Sequence, residues 1–262
     1  MPLTLVTWNI NSIRLRAPMV EAFMAEEKPD VICFQETKSP VEKLPREVFE
    51  VHGYHLVSAR GFKGYNGVAI YSRIGGTEVA HMEWVGRDDA RHCAMELRDG
   101  TILHNFYVPA GGDVPDREKN EKFGHKLDFV AEMTEWSRGL DGKHIVVGDL
   151  NIAPLETDVW SHKQLLKVVS HTPVETEAMM ALMAAGDWTD VTRTDIPEPE
   201  KLYSWWSYRS KDWEAADKGR RLDHIWTRGG VSHVADSSRI AKKWRGEDKP
   251  SDHAPVFATL EI

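Results

Sequence analysis

An α/β fold of two mixed β-sheets packed face to face, with helices outside, is what this chain of 262 residues predicts. Three observations lead there. Short runs rich in apolar and β-branched residues recur along the chain, as at Val31-Ile32-Cys33-Phe34 and Ile145-Val146-Val147, and suit buried strands. These strand patterns predominate, with a hairpin and several helical patterns interleaved. No repeat, low-complexity tract or long linker divides the chain, so residues 1–262 are expected to form one domain with a large core.

Leu3 to Trp8 reads as the opening strand and Arg16 to Ala25 as a helix, punctuated by Pro29-Asp30. Val31 to Phe34 is a second buried strand. Gly61 to Gly67 reads as a glycine-rich loop ahead of a strand over Val68 to Ser72. Cys93 to Leu97 and Thr101 to Val108 form a hairpin through Asp99-Gly100, a turn favoured between antiparallel strands. Apolar residues at helical spacing mark one long amphipathic helix over Arg117 to Arg138. The Ile145 strand follows. Glu175 to Ala185 is a helix with acid in its first turn and Gly186 at its end. Strands are expected from Trp205-Trp206, over Leu222 to Trp226, and over Val256 to Leu260.

The 33 basic and 41 acidic side chains leave a net charge of −8, which excludes a protein that coats nucleic acid through its overall field. A local basic surface remains open to it. No apolar run approaches the ~20 residues needed to span a bilayer, and no leader pattern is visible, so a cytoplasmic location without membrane contact is expected. The two cysteines, Cys33 and Cys93, sit inside apolar strand patterns and read as buried free thiols. With so few thiols, a zinc site built on cysteine is excluded.

Several strands stop at polar residues. The Ile145 strand runs into Gly148-Asp149-Leu150-Asn151, the first strand into Asn9-Ile10-Asn11, and the second into Gln35-Glu36. Side chains at i and i+2 of extended backbone share a face, so Asp149 and Asn151 are expected side by side, although an Asx turn explains the same pair. Tyr107, Asp223, Asp252 and His253 complete a set of oxygen donors with one imidazole and no thiolate. Such a set suits Mg²⁺ or Mn²⁺ better than zinc, with Glu36 as principal ligand and Asn9 and Asp252 near it. Phosphodiester hydrolysis asks an enzyme for on the order of 20 kcal/mol. A general base supplies roughly 3–5 kcal/mol of that, so metal, hydrogen-bond donors and positioning must supply the rest.

Seven segments resemble, in order, those of the exonuclease III family of abasic-site endonucleases, within the endonuclease/exonuclease/phosphatase superfamily. They are Thr7-Trp8-Asn9-Ile10-Asn11, Gln35-Glu36-Thr37-Lys38, Gly64-Tyr65-Asn66-Gly67-Val68-Ala69, Tyr107-Val108-Pro109, Gly148-Asp149-Leu150-Asn151, Arg221-Leu222-Asp223 and Ser251-Asp252-His253-Ala254-Pro255. The resemblance implies a four-layer α/β sandwich and Mg²⁺-dependent attack of water on double-stranded DNA, 5′ to an abasic site or at a blocked 3′ end. A monomer is expected, associated with the bacterial nucleoid through its substrate. By position, Asn9, Glu36, Asp149, Asn151, Asp252 and His253 would surround the metal. Asp149 would orient or deprotonate water, or protonate the leaving oxygen, while Asn151 and Tyr107 would bind the phosphate. Asp223 would orient His253 and raise its pKa, making it a phosphate clamp when protonated or a base when neutral.

Lys63, Tyr65, Trp205, Arg220 and Leu222 are the expected DNA contacts. Where related abasic endonucleases often carry an aromatic two residues before the Arg-Leu-Asp leucine pocket, this chain has Gly219-Arg220. The segment Val159 to Ser170 also lacks the asparagines that relatives use near the phosphate, with Gln164, Leu165 and Val168 there instead. Two other functions compete with DNA repair: hydrolysis of a small phosphate ester by the same superfamily, favoured by the acidic charge, and binding without catalysis, disfavoured by the intact acid–imidazole set.

Overall fold

The computed structural model describes residues 2–262. The chain builds one sheet, then the other, and returns to each. Strands β1 (Pro2–Asn9), β2 (Val31–Gln35), β3 (His55–Phe62) and β4 (Tyr65–Ser72) begin the first sheet. Strands β5 (Thr77–Val79), β6 (His92–Glu96), β7 (Ile102–Tyr107), β8 (His144–Asp149) and β9 (Thr189–Asp190) begin the second. A small ribbon of β10 (Trp205–Trp206) and β11 (Gly219–Arg220) precedes β12 (Asp223–Arg228), which rejoins the second sheet. Strands β13 (Ser232–His233), β14 (Arg239–Ile240) and β15 (Val256–Glu261) complete the first.

Both large sheets share a plan. Each is centred on one parallel pair, β1 with β2 and β7 with β8, and their other pairings are antiparallel. A parallel pair needs a crossover, and the helices Ala17–Glu27 and Glu121–Arg138 supply the two. Alternation along the strands buries both faces. Leu3, Leu5, Ile145 and Val147 meet between the sheets, whereas Val6 and Trp8 pack outward on Val20 and Phe23, and Val146 on Phe129 and Met133. The result is the expected four layers, helix–sheet–sheet–helix. Cys33 and Cys93 are free and buried in the central layer.

Three local expectations need correction. Tyr65 to Gly67 belong to β4, so the glycine-rich stretch is the tip of a β3–β4 hairpin rather than a loop. The long helix begins at Glu121 instead of Arg117, because Asn120 caps it by accepting the Lys122 N–H. Trp205-Trp206 forms only a two-residue strand against Gly219-Arg220. No helix among the described residues is long and apolar enough to cross a membrane.

Candidate active site

The sheet plan explains why distant residues meet. Asn9, Glu36, Tyr107 and Asp149 lie at or just beyond the carboxyl ends of β1, β2, β7 and β8, the strands of the two parallel pairs. Asp223 opens antiparallel β12 directly opposite Asp149, and Ser251 to His253 lead into β15 beside β1. All of them therefore emerge at one rim of the sandwich. Gly148 permits the close approach of β7 and β8 there: its φ is +143°, and a Cβ would collide with the Phe106 backbone.

Glu36 is held on three sides. Its Oε1 accepts from Asn9 Nδ2 at 3.0 Å and from the Tyr107 hydroxyl at 2.9 Å, and Lys38 Nζ stands 2.8 Å from Oε2. Burial pushes the carboxyl pKa up, but Lys38 and these hydrogen bonds outweigh it and leave Glu36 below its ordinary value. Asn9 Nδ2 also donates to Asp149 Oδ2 at 2.8 Å, so one amide links the two acids. Asp252 accepts from Asn11 Nδ2 at 3.1 Å and from Trp205 Nε1 at 2.9 Å.

Asp149, Asp223 and His253 form a second, wholly buried group. His253 Nδ1 is 2.8 Å from Asp223 Oδ2, and its Nε2 lies 3.7 Å from Asp149 Oδ2. Burial opposes charge on the imidazole, but the two aspartates overcome it and raise the pKa to about 10. Asp149 moves up to about 7, chiefly because it is buried, with Asp223 and Glu36 adding to the rise and His253 and Asn9 opposing it. Burial and the nearby Glu36 and Asp149 push the Tyr107 phenol well up, so it stays a hydroxyl donor. One atom from each of Asp149, Asp223 and His253 lies within 4.8 Å of the others, close enough to share an ion as well as protons.

Asn151 combines the two readings of the Gly-Asp-Leu-Asn segment. Its backbone is left-handed (φ +55°), its N–H donates to Asp149 Oδ1 at 3.0 Å in an Asx turn, and its side chain still lines the cleft. The amide Nδ2 donates to the Val108 carbonyl at 2.9 Å.

A cleft of about 760 Å³ opens over these groups and is also lined by Trp160, Val168, Trp205, Lys218, Arg220 and Leu222. Trp205, Arg220 and Leu222 thus line the same cleft as Glu36, Asp149 and His253. Tyr65 lines an adjoining groove that shares Tyr107, Ala110 and Gly112 with the cleft, and Lys63 is exposed in the turn just before it. Of three supporting residues, Ser204 and Lys126 carry no sequence signal and Glu175 shows only as the acid in its helix's first turn. Ser204 Oγ donates to Asp223 Oδ2 at 2.6 Å and accepts the Leu222 and Asp223 N–H groups. Lys126 and Glu175, fully buried, form an ion pair behind the cleft, with Lys126 Nζ donating to the Asn151 carbonyl at 2.7 Å.

Two mixed sheets back to back, with oxygen ligands and an Asp–His pair on their common rim, define an α/β sandwich equipped for phosphate ester chemistry. The chain belongs to the endonuclease/exonuclease/phosphatase family, which it matches over residues 6–253. Exodeoxyribonuclease III of Haemophilus influenzae is 30% identical over 98% of this chain and 99% of its own length. Among solved structures, the 3′ phosphatase NExo from Neisseria, bound to a product DNA hairpin, has a TM-score of 0.88 at 30% identity, covering 99% of this chain and 100% of that one. An AP endonuclease from Archaeoglobus fulgidus gives the same TM-score, identity and coverage.

Proposed function

We propose that this chain is a divalent-cation-dependent DNA phosphodiester hydrolase of base-excision repair, cutting 5′ to abasic sites and trimming blocked 3′ ends. The relatives' names supply the substrate class, and one observation carries the chemistry: Asn9 Nδ2 bridges Glu36 and Asp149, tying a metal-ligand candidate to a proton-exchanging one.

The donor set fits a hard cation. Glu36, Asp149, Asp223 and Asp252 outnumber the Lys38 ammonium and the His253 imidazole, and only oxygen donors are in excess. Glu36 is the first ligand for Mg²⁺, with Mn²⁺ as substitute, and Asn9, Asp149, Asn151, Asp252 and His253 border the position. When bound, the ion supplies positive charge to a phosphate oxygen and helps fix the phosphate.

The chain's own residues do the rest. Asp149, with a pKa near working pH, takes a proton from the attacking water as its oxygen bonds to phosphorus. The P–O3′ bond breaks, and the 3′ oxygen leaves as a hydroxyl on receiving a proton from solvent water, to which Asp149 gives up the one it took. His253, kept cationic by Asp223, clamps a phosphate oxygen through Nε2, while Tyr107 and Asn151 position the same group. Trp205, Arg220 and Leu222 face the sugar–phosphate strand in the cleft, with Tyr65 and Lys63 bordering its path. The same reading takes residues 1–262 as one domain, acting as a monomer at the nucleoid.

A labelled duplex with one abasic site, an intact blunt duplex and a 3′-phosphate duplex, each with Mg²⁺ or chelator, provide the test. A Mg²⁺-dependent cut at the lesion is the expected result. Failure to cleave any of the three, with turnover of a small phosphate ester, would overturn the DNA assignment.

A further inference from the structure

Arg220 and Arg221 are neighbours in sequence with opposite surroundings. Arg221 is fully buried and answered by acid, with Nε 2.8 Å from Asp158 Oδ1 and Nη1 2.7 Å from Asp190 Oδ2. Arg220 has no carboxylate within ion-pair distance among the described residues, although much of it is buried in the cleft wall. Its Nη1 donates to the Val169 carbonyl at 2.9 Å and to Ser170 Oγ at 2.8 Å. Its Nε is buried without an acceptor and no hydrogen bond is made by Nη2 among the described residues, so the guanidinium has donors that no protein group satisfies. Glu175, whose charge favours the guanidinium, is already committed to Lys126, Ser170 and Thr172. A desolvated cation with no counter-charge is costly to maintain unless a ligand supplies one.

Register fixes where that ligand sits. Arg220 lies opposite Trp205, and Trp205 lies opposite His253. Directly opposed residues share a face, so all three side chains point into the cleft. The guanidinium stacks over the Trp205 ring at 5.2 Å. Trp205 stands between Arg220 and His253, and the guanidinium is held over its ring by Val169 and Ser170, so the two cations serve different positions along the cleft. Lys218 Nζ, 4.8 Å over the Trp160 ring and also without an acid partner among the described residues, adds positive charge to this end of the cleft.

We infer that Arg220, stacked on Trp205, holds a second phosphate of the substrate strand, distinct from the one attacked between Asp149 and His253. This rests on the DNA-hydrolase reading above. The second phosphate has two sources, a diester of the continuing strand or a monoester at a 3′ end.

Salt dependence of binding tests it, because each phosphate neutralised contributes about 0.9 to the slope of log K against log salt. Wild type, Arg220→Leu and Arg220→Lys are titrated with chelator present against three duplexes: an internal abasic site, a 3′-hydroxyl end and a 3′-phosphate end. The Arg220→Leu slope is expected to be shallower by about 0.9, while Arg220→Lys keeps the wild-type slope with weaker binding. Loss on all three duplexes assigns a strand diester; loss on the 3′-phosphate duplex alone assigns the monoester. Should Arg220→Leu fail to fold, the neutral Arg220→Gln takes its place: a slope shallower by about 0.9 than wild type supports the inference, and a wild-type slope overturns it. Tight wild-type binding with parallel lines for all variants overturns this inference and leaves the function standing. A wild type without affinity for any duplex overturns both.

Discussion

Two clusters of buried charge sit close together in this molecule and have opposite characters. In the first, Asp158 takes Arg221 with both oxygens and Arg193 as well, and Asp190 takes the remaining side of Arg221. Two acids answer two guanidiniums. Burial resists ionising Asp158, yet the arginines hold its pKa below the ordinary carboxylate value, and Arg221 is shifted further up by the two aspartates. In the second, Glu36, Asp149, Asp223 and Asp252 exceed the cations near them, and Asp149 is driven up to about 7. The first cluster is complete without a ligand. The second is short of positive charge and has a proton it can lose near neutral pH. Imbalance, more than burial, separates the reactive cluster from the structural one.

The largest effect expected from this contrast is on catalysis. His253→Ala and Asp149→Asn should each lower single-turnover cleavage of an abasic duplex on the order of 10⁴-fold, with far-UV circular dichroism unchanged. Near-normal rates would remove both from the mechanism. The balanced cluster should respond in the reverse sense. Arg221→Met leaves Asp158 and Asp190 undercompensated and should cost about 3–5 kcal/mol, read from urea midpoints at constant m-value.

A third buried pair makes the division finer. Lys126 and Glu175 balance each other, but Lys126 also holds the carbonyl of Asn151, and Glu175 accepts the backbone N–H of Ser170 in the cleft wall. The double variant Lys126→Met/Glu175→Leu should lower stability by only about 1–3 kcal/mol, because an apolar pair can replace the ion pair but not the buried hydrogen bonds to the Asn151 carbonyl and the Ser170 N–H. Its kcat should nonetheless fall by up to ~10²-fold through misplacement of Asn151, with KM changing less. A double variant with normal kcat would show that balance alone describes this pair.

The smallest effect separates two kinds of buried histidine. His253 faces acids and is raised. His92, His104 and His144 instead form a ladder across β6, β7 and β8, linked Nε2 to Nδ1 at 3.1 Å twice over, and ending on the Asp141 carbonyl at 2.9 Å. The Met82 N–H donates into His92 Nδ1, so one tautomer order satisfies the whole row. Burial pushes His92 down to about 3 and His104 well below its ordinary value. Stability from these neutral rings is fully present above about pH 6.5, the unfolded value, and is lost as pH falls toward about 3, because the unfolded chain takes up protons that the ladder refuses. Between pH 6 and 4, His104→Gln should flatten the slope of unfolding free energy against pH by about 1.4 kcal/mol per pH step of one. Parallel slopes would mean that the ladder protonates in the folded state.

Much of the site was legible because strands advertise their ends. An apolar run that stops at Glu36 or Asp149 places a polar group at the rim of a sheet, whatever the fold, and Asp223 does so by opening the run over β12. Gly148, Asn9 and His253 follow the same logic. The hairpin over β6 and β7 was legible through Asp99-Gly100, whereas the β3–β4 tip was masked by its glycines. Nothing local distinguishes Arg220 from Arg221, or marks Ser204 and Lys126, since their partners lie far along the chain, and Glu175 shows locally only as the capping acid of its helix, not as the partner of Lys126.

By itself, then, the amino-acid order determined which residues end the strands, which stretches are buried on both faces, and that the polar set consists of oxygen donors with one imidazole. These depend on neighbours a few positions apart. Only the tertiary structure decided that Asn9 joins Glu36 to Asp149, that Arg221 is neutralised while Arg220 is not, and that one buried histidine is raised to about 10 while another is lowered to about 3. Desolvation and Coulomb interactions depend on distances through space, and here those distances are set by strands brought together from opposite ends of the chain.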